Sequence, residues 1–159
     1  MNEELTPLQK ELQQRRPFGS RGQESVIAVL RTADLLRRRL SRVSELYGIT
    51  LQQYNVLRIL RGAGEEGLPT LEIGERMVEQ TPGVTRLLNR LEAKGLATRS
   101  RGESDHRQVI CRLTSKGRRL LDRLDPEMEG AAEAGVAMLR PEDEIRLLEL
   151  LTAIRTGQE

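Results

Sequence analysis

The chain has 159 residues and a formal net charge of +2, a length for one domain, or one domain with dimerisation extensions, and for a substantial aliphatic core. Phe18, Tyr47 and Tyr54 are its only aromatic residues, so packing rests on Leu, Ile, Val and Ala, which favours helices packed on helices. A single cysteine, Cys111, excludes an intramolecular disulfide framework and fits a reducing cytosol, and no apolar run approaches the roughly 20 residues that span a bilayer.

Residues 1–20 are polar and carry Pro7, Pro17 and Gly19; they read as a poorly ordered arm or a short helix, without the apolar stretch of a signal peptide. From about Gly22 to Tyr47 the residues Val26, Leu30, Ala33, Leu36, Leu40, Val43 and Tyr47 recur at threes and fours, which predicts one long helix stopped by Gly48. At 1.5 Å per residue it measures about 39 Å, more than a small compact domain needs. A partner subunit is the economical cover for the surplus apolar surface. Arg37, Arg38, Arg39 and Arg42 on its other side read as a solvated face. Thr50 and Gln53 form a capping box that opens a second helix, ending near Gly62, with Leu51, Tyr54, Leu57 and Leu60 on its buried side. After a glycine-rich loop, Leu68-Pro69 can add one short strand to a later hairpin.

Thr70 is the expected cap of a short helix over about Leu71 to Met77. Thr81 is the expected cap of the next, with Pro82 at its first position and Gly95 closing it, so that it runs from about Pro82 to Lys94. Val84, Leu87, Leu88 and Leu91 fall at i, i+3, i+4 and i+7 and define its core face. The other face carries Thr85, Arg86, Asn89 and Arg90, with Gly83 beside them, a set of cations and hydrogen-bonding groups suited to base edges and phosphates. Two helices joined by a tight turn make a helix-turn-helix. Leu96 to Arg101 and Gln108 to Leu113 then read as a β-hairpin around a polar tip, the wing, with Arg99, Arg101, Arg107 and Arg112 as its cations. Arginine at a hairpin tip suits a narrow minor groove.

Beyond the wing, Thr114 or Ser115 caps a helix carrying Leu120, Leu121 and Leu124, which Asp125-Pro126 is expected to kink or restart. Pro141 followed by Glu142, Asp143 and Glu144 opens a last amphipathic helix through Ile145, Leu147, Leu148, Leu150, Leu151 and Ile154. Charge is divided accordingly. Seven basic residues face three acidic ones between Thr81 and Arg112, whereas six face ten between Gly117 and Glu159. That is the pattern of an oriented polyanion-binding protein.

The run VTRLLNRLEAKGL, the Asp105-His106-Arg107 (D-x-R) wing and the LTSKG at Leu113 to Gly117 together resemble the MarR family of bacterial transcriptional regulators, over most of the chain from about Ser25 to the C-terminal helix. The resemblance implies that Arg107 enters the minor groove and that Asp105 orients it, His106 filling the position between them. It also implies an effector crevice between dimerisation helices and DNA head, near which Tyr47, Tyr54 and Arg58 lie.

The expected fold is thus mainly α with a small β-hairpin wing. A winged helix-turn-helix head over 49–114 is flanked by long N- and C-terminal dimerisation helices over 21–48 and 115–159, with an arm over 1–20. The expected protein is a DNA-binding transcriptional regulator, and the resemblance makes it a ligand-responsive repressor that binds a pseudo-palindromic operator as a homodimer. A weakly specific or architectural DNA-binding protein is the alternative. Candidate DNA contacts are Thr81, Gly83, Thr85, Arg86, Asn89 and Arg90 in the reading helix and Arg99, Arg101, Asp105, His106 and Arg107 in the wing. The expected partners are double-stranded DNA, a second copy of the chain and a small-molecule effector of unknown identity, with no membrane. No cofactor, metal or enzymatic activity is expected: one histidine and one cysteine supply neither a zinc site nor a nucleophile-base-orienter set. Cys111 itself reads as a small core residue, since no second cysteine is present to resolve an oxidised thiol.

Overall fold

A computed structural model describes residues 5–80, 83–102 and 108–157. The chain divides into two compact units, Met1–Arg38 and Arg39–Glu159. In the first, Thr6 caps α1 (Pro7–Glu11) through a capping box with Gln9, so the N-terminal arm contains a short helix. Glu11 is ion-paired to Arg31 at 2.8 Å on α2 (Arg21–Leu46), which begins in this unit and ends in the second. Val26 and Leu30 of α2 are exposed to 59% and 64%.

The second unit holds the core. The capping box expected at α3 (Leu51–Ala63) is present, with Gln53 N–H donating to Thr50 Oγ1 at 3.2 Å and Thr50 N–H to Gln53 Oε1 at 3.1 Å. Val56, Leu57 and Leu60 of α3 are fully buried, and Leu40, Val43 and Tyr47 from the end of α2 pack against the cluster they belong to. β1 (Leu68–Pro69) joins the hairpin of β2 (Ala97–Arg101) and β3 (Val109–Leu113) in an antiparallel sheet of order β1-β3-β2. Leu68 and Arg99 both lie opposite Cys111 in its register.

Three local expectations are corrected. Thr70 is the first residue of α4 (Thr70–Glu75) and not its cap: Pro69 is extended at φ −60°, ψ 146°, so the strand passes straight into the helix. The reading helix, α5, spans Val84–Ala93 and begins two residues later than Pro82 because Gly83 at φ 121°, ψ 23° is the residue that precedes it. Thr81 and Pro82 lie outside the described residues. Pro126 does not restart the helix after the wing; α6 runs unbroken over Ser115–Val136 from its Thr114 cap. An interior proline costs about 3 kcal/mol, a cost set here against the burial of Leu121, Leu124 and Met128 on both sides of it.

The end of α5 follows the glycine pattern expected of it. Gly95 takes φ 67°, its N–H donating to Glu92 O and that of Leu96 to Leu91 O, a closure that turns Leu96 into the core. At Gly117 the need is space: a Cβ there would overlap the Leu96 carbonyl, so α6 starts flush against the turn that leaves α5. The last helix, α7 (Pro141–Thr156), has Pro141 at its first position and three acids in its first turn, as expected. None of its side chains is buried, and Leu150 and Ile154 are about half exposed, at 48% and 52%.

Candidate nucleic-acid interface

Helices α4 and α5, with the turn between them, form the candidate reading element. Ile73 of α4 and Met77 in the turn are buried, while the Val78 N–H donates to Asn55 Oδ1 of α3 at 2.9 Å, which fixes the start of the turn against the core. Gly83 then admits a left-handed backbone that a side chain would strain, so its place at the head of the reading helix answers to the backbone. On α5 the leucines at 87, 88 and 91 are buried and Val84 is half-buried, while Thr85, Arg86, Asn89 and Arg90 are exposed. No side-chain hydrogen bond or ion pair occupies these four among the described residues. The Arg86 N–H donates to Gly83 O at 2.8 Å, and no side chain caps the start of the helix. One face of α5 is therefore anchored by leucines, and the other presents cations, a hydroxyl and an amide.

The wing residues fare differently. Arg101 ends β2 and is exposed; just beyond it, the Gly102 N–H donates to Gln108 O at 2.9 Å. Asp105, His106 and Arg107 lie outside the described residues. Arg99 is folded back on α5, where its guanidinium binds Glu92 at 2.9 and 2.5 Å and braces the first wing strand against the reading helix. Arg112 donates to Glu65 O at 3.0 Å and to Ser100 Oγ at 2.7 Å. Neither engagement follows from sequence spacing. Opposite charges at positions 92 and 99 were the only hint of the first.

Tyr54 and Arg58 come together beside a cavity of about 790 Å³ whose wall includes both. The Tyr54 hydroxyl donates to Asp125 Oδ1 at 2.7 Å, Arg61 binds Asp125 Oδ2 at 2.6 Å, and the Arg58 guanidinium lies 5.9 Å from the Tyr54 ring centre. Asp125 thus ties α3 to α6, an arrangement for which sequence reading has no signal. Tyr47 lies elsewhere, donating to Glu127 Oε1 at 2.5 Å. Burial, then the bond to Asp125, raises the Tyr54 phenol above its ordinary 10.0, and the Glu127 bond leads the same shift at Tyr47. Both therefore remain protonated donors at neutral pH; the stabilisation they contribute is complete below pH 10.0 and is lost as pH rises beyond it.

Cys111 is fully buried. Burial pushes its thiol pKa up, partly offset by Thr70, whose hydroxyl lies 3.7 Å from the sulfur. It is a core residue with little thiolate character. Among the described residues no three side chains of His, Cys, Asp or Glu converge to hold a metal.

A family model described as "Transcriptional regulator SarA/Rot" matches residues 39–124. The crystal structure of a MarR transcription factor from Planctomyces limnophilus is 32% identical, with a TM-score of 0.67 over 86% of this chain and 98% of that one. The chain belongs to the MarR family of winged-helix transcriptional regulators. TtmR, an HTH-type transcriptional regulator of Methylorubrum extorquens, is 46% identical over 77 residues, 48% of this chain and 38% of its own length. Sco3205 of Streptomyces coelicolor, a MarR family regulator solved in complex with DNA, shares the fold with a TM-score of 0.77 at 23% identity, over 91% of this chain and 92% of that one. As a MarR protein the chain is a regulator and not an enzyme, and no helix among its described residues is long and apolar enough to cross a membrane.

Proposed function

We propose that this MarR-type regulator binds a pseudo-palindromic operator as a homodimer, represses transcription from it, and is released or tuned by a small molecule. The observation that carries sequence-specific reading is the α5 face of Thr85, Arg86, Asn89 and Arg90, exposed opposite three buried leucines. Side chains of this kind reach base edges in the major groove, Arg to guanine and Asn to adenine, while uncapped N–H groups at a helix start suit a phosphate. Gly83 and Thr81 belong to that approach as backbone and phosphate contacts. The uncovered apolar side chains of α7 support a second copy, and a two-fold dimer sets half-sites about 10 base pairs apart. The cavity beside Tyr54 and Arg58 supports an effector, because a ligand there would touch side chains linked through Asp125 to α6.

The test begins with genomic selection of bound fragments, which yields the operator. On that operator Arg86→Ala and Asn89→Ala should each cost about 1 to 3 kcal/mol, and on random duplex little. Equal losses on both DNAs would reduce the two residues to phosphate anchors and favour the architectural alternative.

The wing is tested separately. Arg101 and Arg107 are its proposed DNA contacts, with Asp105 orienting Arg107 past His106, and Arg99 acts through its hold on Glu92. Arg107→Ala should weaken operator binding and flatten the slope of log K against log salt by about 0.9 for each phosphate left without its arginine. Asp105→Ala should cause a smaller loss of the same sign, although simple electrostatics predicts tighter binding when an acid near a polyanion is removed. Tighter binding with an intact circular dichroism spectrum would make the wing a nonspecific basic loop.

A further inference from the structure

We infer that Asn55 of α3 is a positioning residue for DNA reading, whose side-chain amide sets the aim of α5 by holding the turn that leads into it. The inference rests on the proposal that α5 reads the operator. After α4 the backbone uses its local acceptors in order: the Arg76 N–H donates to Glu72 O at 3.2 Å and the Met77 N–H to Gly74 O at 3.3 Å. The Val78 N–H comes next, makes no backbone hydrogen bond among the described residues and donates to Asn55 Oδ1 at 2.9 Å. Met77 is buried, but the Val78 side chain is 86% exposed, so at Val78 itself burial does not hold the chain. One turn earlier on the same side of α3, Gln52 Nε2 donates to Glu79 Oε2 at 3.5 Å, a longer contact to the following residue of the turn. Positions i and i+3 of a helix are neighbours on its surface, and α3 is itself seated in the core by Val56, Leu57 and Leu60. The tether therefore runs from a fixed helix to a residue whose own side chain gives it no anchor.

The turn bears on aim because little chain separates it from the reading helix. Five residues, 79–83, lie between Val78 and Val84, the last of them Gly83 with its positive φ. A Cβ on Gly74 of α4 would come within 3.4 Å of Val84 Cγ2, so the start of α5 packs closely on α4 and follows it. The buried leucines at 87, 88 and 91 fasten α5 to the core, but apolar burial is not directional, and it sets the distance of a helix better than its rotation. A hydrogen bond to the turn is directional. Base edges are read by hydrogen bonds with strict distances and angles, whereas the attraction between a cation and a phosphate falls off gradually. Releasing the turn while the leucine seat stays intact should therefore cost discrimination before it costs general affinity. An asparagine that served only to finish α4 would instead cost stability and leave discrimination as it was.

The test uses the full-length protein, the selected operator and a random duplex of the same length at one salt concentration. Asn55→Leu, which keeps the branched shape but not the acceptor, should lower the ratio of operator to random affinity by about three- to tenfold, the range of one hydrogen bond, and should speed hydrogen exchange at the Val78 amide. Asn55→Asp keeps the acceptor. Its charge repels every DNA alike, so both affinities should fall while their ratio and the slow Val78 exchange are retained. Asn55→Ala gives the same readings as Asn55→Leu if circular dichroism shows that the leucine variant folds poorly. Asn89→Ala separates the inference from the reading on which it rests. If Asn89→Ala loses affinity for the operator selectively while the ratio is unchanged in Asn55→Leu and Asn55→Ala, the positioning role is overturned and the α5 reading stands. Unchanged Val78 exchange in those two variants overturns it as well, as does a ratio that falls equally in Asn55→Asp. Equal losses on both duplexes in Asn89→Ala overturn the α5 reading and the inference together.

Discussion

Glutamate at both Leu150 and Ile154 is expected to turn a dimer into a monomer at micromolar concentration and, with it, to abolish tight operator binding. Leu147, Leu150, Leu151 and Ile154 recur along α7 at i, i+3, i+4 and i+7, the spacing of one helix face, and none of them is buried within the chain. Burying a Leu or Ile side chain contributes about 1.5 to 3 kcal/mol, so four such side chains, two from each subunit, account for about 6 to 12 kcal/mol. A micromolar dissociation constant corresponds to about 8 kcal/mol. Losing that burial and placing carboxylates at the interface therefore exceeds what holds such a dimer together. Light scattering gives the mass and circular dichroism should be unchanged, because the core cluster includes no residue of α7. A dimer that survives both substitutions would show that α7 is not the interface.

Leu88→Ala is expected to lower the stability of the folded chain by about 2 to 5 kcal/mol, a large share of the about 5 to 15 kcal/mol that holds a typical domain. Leu88 is 1% exposed and stands on the face of α5 opposite Arg86 and Asn89. Its truncation removes transfer free energy and leaves a cavity under the reading helix. The urea midpoint should fall. Affinity should fall on operator and random duplex alike, since the seat of the helix is disturbed and not its choice of bases, the opposite of the pattern expected for Arg86→Ala. A loss confined to the operator would mean that the seat itself carries discrimination.

Much of the architecture is written in short-range chemistry. The pairing of Thr50 with Gln53, the leucine spacing of α5, Gly95 after its last turn and Pro141 with three acids behind it are each signals within about one or two turns, and the structure has an element at every one. The short strand at Leu68-Pro69 was also legible, because a proline is tolerated at a sheet edge. What was not legible depends on the backbone or on distant partners. Thr81 and Pro82 look like a helix start by composition, but the deciding quantity is the dihedral of Gly83. Pro126 looks like a break, and its cost is set against burial of Leu121, Leu124 and Met128, which depends on partners elsewhere in the chain. Arg99 looks like a wing cation until Glu92 is seen beside it. Asp125 gives no sign of holding Tyr54, 71 residues earlier in the chain. At the reading face the sequence reached the exposed side chains of α5, since amphipathic spacing separates the two faces of a helix without reference to anything else. The cavity beside Tyr54 was beyond it, because it is built from three or more elements whose spacing along the chain is arbitrary.

The protected state of Cys111 makes this regulator convenient for spectroscopy. Its sulfur is sealed between β3 and α4, and its proton is held more tightly than that of a free thiol, so maleimide and methanethiosulfonate reagents, which need exposed thiolate, should leave the native chain unlabelled. A cysteine placed at exposed Thr98 on β2 would then be the sole reactive thiol, with no need to empty a core position first. A spin label or fluorophore there, one per subunit of the proposed dimer, would report the separation of its two wings with DNA and without it.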